Sequence, residues 1–280
     1  MNKLEIHIIT YNERIMLPFT IAHYKRMFPG KYPGNDDIRI VVHDNYSTDD
    51  TVAIAEQEGC IVIPFKTDGM NDTIQSQIKS RAAMESTAEW VLCIDADELC
   101  MINAWDLAAL TEKGINAVQF EGWNIYDKVK SPWDIQIPRG IQDGGYSKPV
   151  LLKTGVFSNV TFAPGAHAVV AAPQPGKKIL WSKNEYKLLH YKHWSCDYNV
   201  NRSAELGARQ SEDNKKKRHS FHFGFSKVMH ESFFDTNFAK REVIIDPRIQ
   251  YPDGVNYMDL GPEAGGEVIV VDKSKLNDTL

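Results

Sequence analysis

Trp90-Val91-Leu92-Cys93-Ile94-Asp95-Ala96-Asp97-Glu98 is the stretch on which the reading of this chain turns. Its first five residues are an apolar run of strand length and predict a buried strand. Two carboxylates one residue apart follow at the carboxyl end. Extended residues two apart point the same way, so Asp95 and Asp97 can converge on one cation. Hard oxygen ligands suit Mg²⁺ or Mn²⁺, and those ions usually bring a phosphate with them. The pattern predicts a metal-bridged diphosphate site. An isolated Asp-x-Asp is more often an acidic strand-to-loop turn with a helix cap, so the weight comes from what lies upstream.

Upstream, strands alternate with helices. Leu4 to Ile9, Ile38 to Val42 and Cys60 to Ile63 read as strands. Glu13 to Met27, Thr51 to Gly59 and Asn71 to Ser86 read as helices, the first with Leu17, Ile21, Tyr24 and Phe28 at helical spacing. Pro29-Gly30 and Pro33-Gly34 break the chain between the first helix and the second strand. This alternation predicts βαβ units and an α/β fold with a mainly parallel sheet flanked by helices. Ligands of such sheets bind at the carboxyl ends of the strands. Three polar clusters lie at those ends: Thr10-Tyr11-Asn12-Glu13, Asp44-Asn45-Tyr46-Ser47 and Asp95-Ala96-Asp97. Their convergence on one crevice is the physical case for a site.

The bulk numbers set bounds. With 280 residues the chain can hold one large domain or one domain with an appended lobe. A net charge of −5 gives no support to nucleic-acid binding. No apolar run is long enough to cross a bilayer, and the first strand begins too early for a signal peptide. A soluble cytoplasmic protein, at most peripheral to a membrane, is expected. Cys60, Cys93, Cys100 and Cys196 lack metal-type spacing and are expected to be reduced thiols. The pattern changes after about Asp127, where Gly, Pro and aromatic residues rise. Residues 1–126 form the first half of one domain in this reading, 127–245 a second half of mixed sheet in the same domain, and 246–280 a tail. In the second half, 147–153, 165–170 and 186–191 read as strands, and one helix is expected from about Ser195 to Asn214.

Thr10-Tyr11-Asn12-Glu13, then Asp44-Asn45-Tyr46-Ser47-Thr48-Asp49-Asp50-Thr51, then Asp95-Ala96-Asp97-Glu98 together resemble a GT-A fold glycosyltransferase of the family 2 type. The resemblance covers roughly the first two-fifths of the chain, and it implies that 1–126 is the nucleotide-sugar-binding half and 127–245 the acceptor-binding half. A looser likeness to a family 2 subgroup that glycosylates glycans rests on Tyr146 to Leu151 and Leu189 to Lys192. The resemblance implies a nucleotide-diphosphate sugar donor, expected to be a UDP-sugar, a glycan or glycoconjugate acceptor, Mn²⁺ or Mg²⁺, and inversion at the sugar carbon. It implies that Thr10, Asn12 and Glu13 line the nucleoside pocket, that Asp44 meets the uracil or ribose with Asn45 and Ser47 beside it, and that Asp95 and Ala96 lie near the ribose. Asp97 would bind the metal, with Asp95, and His190 completes the shell by its place in the chain order. Arg81, on the helix before the motif strand, is a donor contact or an ordinary solvated charge in equal measure.

One departure stands out. Family 2 members carry a Glu-Asp pair opening a helix after the motif, with the Asp as base, and no such pair lies between Asp97 and His190; Glu212-Asp213 comes too late. Transfer needs a base within reach of the acceptor hydroxyl. Asp143, in a Gly-rich loop, ranks first among the candidates, His167 second, with Glu121, Asp127 and Asp197 behind. Trp123, Tyr126, Trp133, Tyr146, Trp181 and Trp194 can supply sugar-stacking faces, although core packing accounts for most such residues. A nucleotidyltransferase would show a Gly-rich basic loop after the first strand, which Thr10 to Glu13 is not. A non-catalytic nucleotide-sugar-binding protein of the same fold stays open because of the missing pair.

Overall fold

The computed structural model describes residues 3–29 and 38–249. The Pro33-Gly34 break and all but the first four residues of the 246–280 tail lie outside the described residues. The first part runs β1 (Leu4–Thr10), α1 (Met16–Met27), β2 (Ile38–Asp44), α2 (Thr51–Gln57), β3 (Ile61–Pro64), α3 (Asp72–Glu85), β4 (Trp90–Asp95), β5 (Glu98–Cys100), α4 (Ala104–Glu112) and β6 (Ala117–Tyr126). The second runs β7 (Arg139–Gln142), β8 (Lys148–Lys153), β9 (Phe157–Phe162), β10 (Val169–Pro173), β11 (Trp181–His193), α5 (Cys196–Ala208), α6 (Glu212–Lys217), α7 (Lys227–Phe238) and β12 (Glu242–Val243).

β1, β2 and β4 are buried nearly throughout because both faces of the sheet are covered, and the polar residues of β1 and β2 pair with one another, as His7 does with Glu5 and His43. The main sheet has the order β12-β7-β6-β8-β4-β1-β2-β3. β3, β2, β1 and β4 are mutually parallel, while β8 enters antiparallel between β4 and β6. α1 buries Met16, Leu17, Ile21 and Tyr24 at helical spacing, and the Tyr24 hydroxyl donates to the Glu98 carbonyl at 3.1 Å. α3 opens on Asn71, whose side chain accepts from the Ile74 N–H at 3.0 Å. α4 opens on a reciprocal Asn103–Asp106 capping box.

The sheet does not stop at the 126/127 division. β11 lies between β6, which it pairs in parallel, and the three-residue β5, which it pairs antiparallel. This register sets His190 opposite both Glu98 and Asn124. β9 and β10 form a separate hairpin sheet. The expected helix from Ser195 to Asn214 is two helices. Its break comes where Met70 N–H donates to the Arg209 carbonyl at 2.6 Å and Ser211 N–H donates to the Met70 carbonyl at 3.0 Å. Those bonds take the Arg209 carbonyl and the Ser211 N–H out of the helical ladder, and Ser211 then caps α6. The cysteines are free, and Cys93 and Cys100 are buried. No helix among the described residues is long and apolar enough to cross a membrane.

Candidate active site

β1 ends at Thr10, β2 at Asp44 and β4 at Asp95, on neighbouring parallel strands, so their following loops open onto one cleft. Thr10, Glu13, Asn45, Asp95, Ala96, Asp97, His167 and His190 line it. So do Lys148, Lys192, Arg202 and Arg209, which the sequence reading did not assign.

Asp95 is held by two buried ammonium groups. Lys79 Nζ lies 2.7 Å from Oδ1 and Lys148 Nζ 3.4 Å from Oδ2. Lys148 also pairs closely with Glu98, whose other oxygen accepts from the Asp95 N–H at 3.0 Å. Burial opposes ionisation of Asp95, but Lys79 and Lys148 outweigh it and hold the carboxyl well below the usual range. Arg81 does not reach the cleft. It is exposed, 3.8 Å from Glu85 on the same helix. Lys79 is the cation that α3 sends inward. The signal for it was the helical face Asp72, Ser76, Lys79 and Ala83, all buried.

Asp97 Oδ2 faces His190 Nε2 at 3.3 Å. His190 Nδ1 lies 2.8 Å from Asn124 Oδ1, and the Asn124 amide donates to Asp143 Oδ2 at 3.0 Å. An amide oxygen can only accept, so Nδ1 carries the proton and, in the neutral ring, Nε2 turns its lone pair toward Asp97. A lone pair facing a carboxylate calls for a cation between them, a proton or a metal ion. A carboxylate oxygen beside an oriented imidazole nitrogen is a donor pair that suits Mn²⁺. Burial opposes ionisation of Asp97; with a proton on Nε2 as that cation, His190 outweighs burial and lowers the carboxyl pKa. The expected triad of Asp95, Asp97 and His190 is not assembled as a three-ligand cluster among the described residues. Asp95 is committed to its lysines, which leaves Asp97 and His190 as the pair that fits a metal.

The end of the cleft below β1 and β2 is built from loop-to-loop bonds. Both oxygens of Asp44 accept from Ser47, from its N–H at 2.9 Å and its hydroxyl at 2.5 Å. Asn12, at φ 51°, takes the Ser47 hydroxyl on its N–H at 2.9 Å and donates its amide to Glu205 at 2.7 Å. Asp44, Asn12 and Ser47 therefore shape the cleft from behind, while Thr10 and Asn45 face it. Glu13 is paired with Arg202 at 2.5 Å. Arg202 stays charged because Glu13 and Glu205 outweigh the burial that opposes its charge. The Arg209 guanidinium lies 3.1 Å from the centre of the Tyr11 ring. Gly69, at φ +137°, makes room for this closure: a Cβ there would strike the Arg209 carbonyl.

Of the base candidates, Asp143 and His167 sit on different walls. Asp143 accepts from Gly145 N–H at 2.8 Å and from Asn124, and it lines a second cavity next to the first. His167 lines the first cavity, and burial pushes its pKa down to about 4. The two cavities share Tyr146, Lys192 and His222 as a wall. Tyr146 stacks on His190 with ring centres 4.5 Å apart. It can do so because Gly122 has no side chain where the Tyr146 backbone crosses β6. Lys192 Nζ is 2.9 Å from His222 Nε2, and burial pushes its pKa down to about 8. Among the aromatic residues proposed for an acceptor groove, only Tyr146 lines either cavity. Trp123, Tyr126 and Trp194 are in the core, and Trp133 packs against Phe19 elsewhere.

Residues 5–113 match the family model described as Glycosyl transferase family 2. No curated protein matches the sequence. Among solved structures, S. aureus TarS 1–349 in complex with UDP is similar at 16% identity, over 82% of this chain and 75% of that one, with a TM-score of 0.41. The mannosyltransferase PcManGT from Pyrobaculum calidifontis in complex with GDP-Man and Mn²⁺ is similar at 14% identity, over 84% of this chain and 73% of that one, with a TM-score of 0.41. Glucosyl-3-phosphoglycerate synthase from Mycobacterium tuberculosis in complex with Mn²⁺ and UDP-Glc has 20% identity, over 44% of each chain, with a TM-score of 0.30. The chain spans 44% of the longer S. aureus TarS chain. Likenesses of this size carry no argument by themselves, and the weight rests on the match over residues 5–113 and the parallel β3-β2-β1-β4 core beneath it. Residues 5–113 thus resemble family 2 glycosyltransferases, and the sheet that carries them has the GT-A arrangement.

Proposed function

We propose that the protein transfers a sugar from a nucleotide-diphosphate sugar, a UDP-sugar in the reading we favour, to a hydroxyl of a glycan or glycoconjugate acceptor. The observation that carries this is Asp97 facing His190 at 3.3 Å at the mouth of β4, inside a cleft lined by the ends of parallel strands. Asp97 and His190 would hold Mn²⁺ or Mg²⁺, which supplies Lewis-acid neutralisation of the departing diphosphate. Asp95 orients the motif through Lys79 and Lys148. Thr10 and Asn45 face the nucleoside, with Asp44, Asn12 and Ser47 fixing the loops behind them. Glu13 holds Arg202 on the same wall.

Asp143 is the base in this reading. It lines the second cavity and keeps a free lone pair on each oxygen after its two hydrogen bonds. Proton removal from the acceptor on the side opposite the diphosphate gives inversion. The protein works in the cytoplasm in this reading. The test is UDP release from a panel of UDP-sugars with Mn²⁺ and mixed acceptors, in wild type and Asp143→Asn. We expect turnover of one donor, a kcat lower by about 10²–10⁴ in the variant, and unchanged UDP affinity. Full activity in the variant would remove Asp143 as base, and no turnover of any donor would remove the function.

A further inference from the structure

We propose that the second cavity takes an acceptor with two ends: a hydroxyl-bearing sugar head and an apolar alkyl or acyl aglycone. This deepens the reading above and rests on it. The cavity encloses about 710 Å³ and meets the donor cleft along the wall of Tyr146, Lys192 and His222. Its lining is mixed. Asp143 and Asn124 are linked by hydrogen bonds to His190 of the donor cleft. Phe225, Val228, Met229 and Phe233 come from α7 and the turn before it, and α7 also supplies His230, Ser232 and Thr236.

The polar and apolar ends each lack something. His193 Nδ1, His230 Nε2 on α7 and both amide atoms of Asn199 are buried without a hydrogen-bond partner, and all three residues line this cavity. Groups of that kind cost free energy unless something polar meets them. A hydroxyl-rich head has both donors and acceptors to offer. For the exposed apolar residues the problem is reversed. Val228 is 71% exposed, Phe233 56% and Met229 51%, adjoining one another on α7 beside Phe225. Contiguous exposed apolar surface at a cavity mouth marks a place where apolar surface is covered. A free glycan would satisfy the first end and leave the second in water. An alkyl chain continuing from the sugar would cover it, with the head hydroxyl left at the shared wall, facing the donor.

The test compares octyl and methyl glycosides of glucose, galactose, mannose and N-acetylglucosamine as paired probes, at monomeric concentrations. Equilibrium binding is followed by tryptophan fluorescence, with and without UDP and Mn²⁺. The proteins are wild type and Val228→Asp/Phe233→Asp, whose replaced side chains are mostly exposed. We expect at least one octyl glycoside to bind tenfold or more tightly than its methyl partner. That preference should disappear in the variant, with UDP binding unchanged as the control for folding. Equal binding of octyl and methyl partners, no binding of any octyl glycoside, or a preference that survives in the variant would overturn the proposal. Failure of wild type to bind UDP would instead overturn the nucleotide-sugar reading, and it is measured separately from the alkyl comparison.

Discussion

Replacing Lys148 by Met isolates the electrostatics beneath the acidic motif. The side chain is 3% exposed and pairs with Glu98, which is 1% exposed. Met retains most of the apolar stem, so little cavity opens and the change falls on the charge. Asp95 keeps Lys79 at 2.7 Å, whereas Glu98 has no other cation within ion-pair distance among the described residues. Breaking a buried pair from one side costs about 3–5 kcal/mol, because the remaining charge stays desolvated. For a chain of this size that is a fall in Tm on the order of 10 °C. The double variant Lys148→Met/Glu98→Gln removes the stranded charge, while the Gln oxygen still accepts from the Asp95 N–H. It should recover about 2 kcal/mol relative to Lys148→Met alone. Urea unfolding followed by tryptophan fluorescence measures all four corners of this cycle. A cost below about 1 kcal/mol for Lys148→Met, or a double variant no more stable than the single one, would refute the reasoning.

Three further outcomes follow from other parts of the structure. Gly69→Ala should cost more than about 1 kcal/mol and weaken UDP binding, because its Cβ would displace Arg209; Gly59→Ala, also at positive φ but in open space, should leave UDP binding intact, and equal UDP affinities in the two variants would contradict this. Burial opposes ionisation of Glu5, but His7 and Arg39 outweigh it and bring its pKa from 4.5 down to about 2. Its contribution is therefore present above pH 4.5 and is lost as pH falls toward 2, about 2 kcal/mol after solvent screening of the half-exposed guanidinium. Acid unfolding should show a shallower loss across that window in Glu5→Gln, and identical pH profiles would contradict it. Arg81→Ala should change neither UDP affinity nor stability by more than about 0.5 kcal/mol, since it removes only an exposed pair with Glu85; a tenfold loss of UDP binding would put Arg81 back in the site.

What the sequence revealed and what it hid divide along the range of the interactions. β4 was legible because a buried parallel strand is a continuous apolar run, β1 and β2 because isoleucine, leucine and valine dominate them despite Glu5, His7, Arg39 and His43, and the motif at the end of β4 because strand ends in such sheets carry the ligand loops. Asp97 was therefore found locally, and His190 only by its order in the chain. Their meeting depends on the tiny strand β5, whose three residues gave no periodic signal of their own, pairing with β11 some ninety residues on. The acidic residues were easier to find than their counterions. Lys79 hides on the face of α3 that also buries Ser76 and Ala83, where its charge argued for solvent when read alone. Lys148 stands at the start of an apolar strand and becomes meaningful only when β8 lies beside β4. The break after α5 is likewise written in Met70, far upstream, rather than in residues 209–211. The second cavity was missed because α7 was not recognised: its exposed Val228, Met229 and Phe233 do not follow the pattern of a helix that buries its apolar face.

The most direct test of the central claim is calorimetric titration of UDP into wild type and Asp97→Asn, each with and without Mn²⁺. The account predicts that Mn²⁺ tightens UDP binding at least tenfold in wild type and not at all in Asp97→Asn, with similar metal-free affinities in both. Mn²⁺ enhancement of equal size in the two proteins would contradict the pairing of Asp97 with His190 as the seat of the metal.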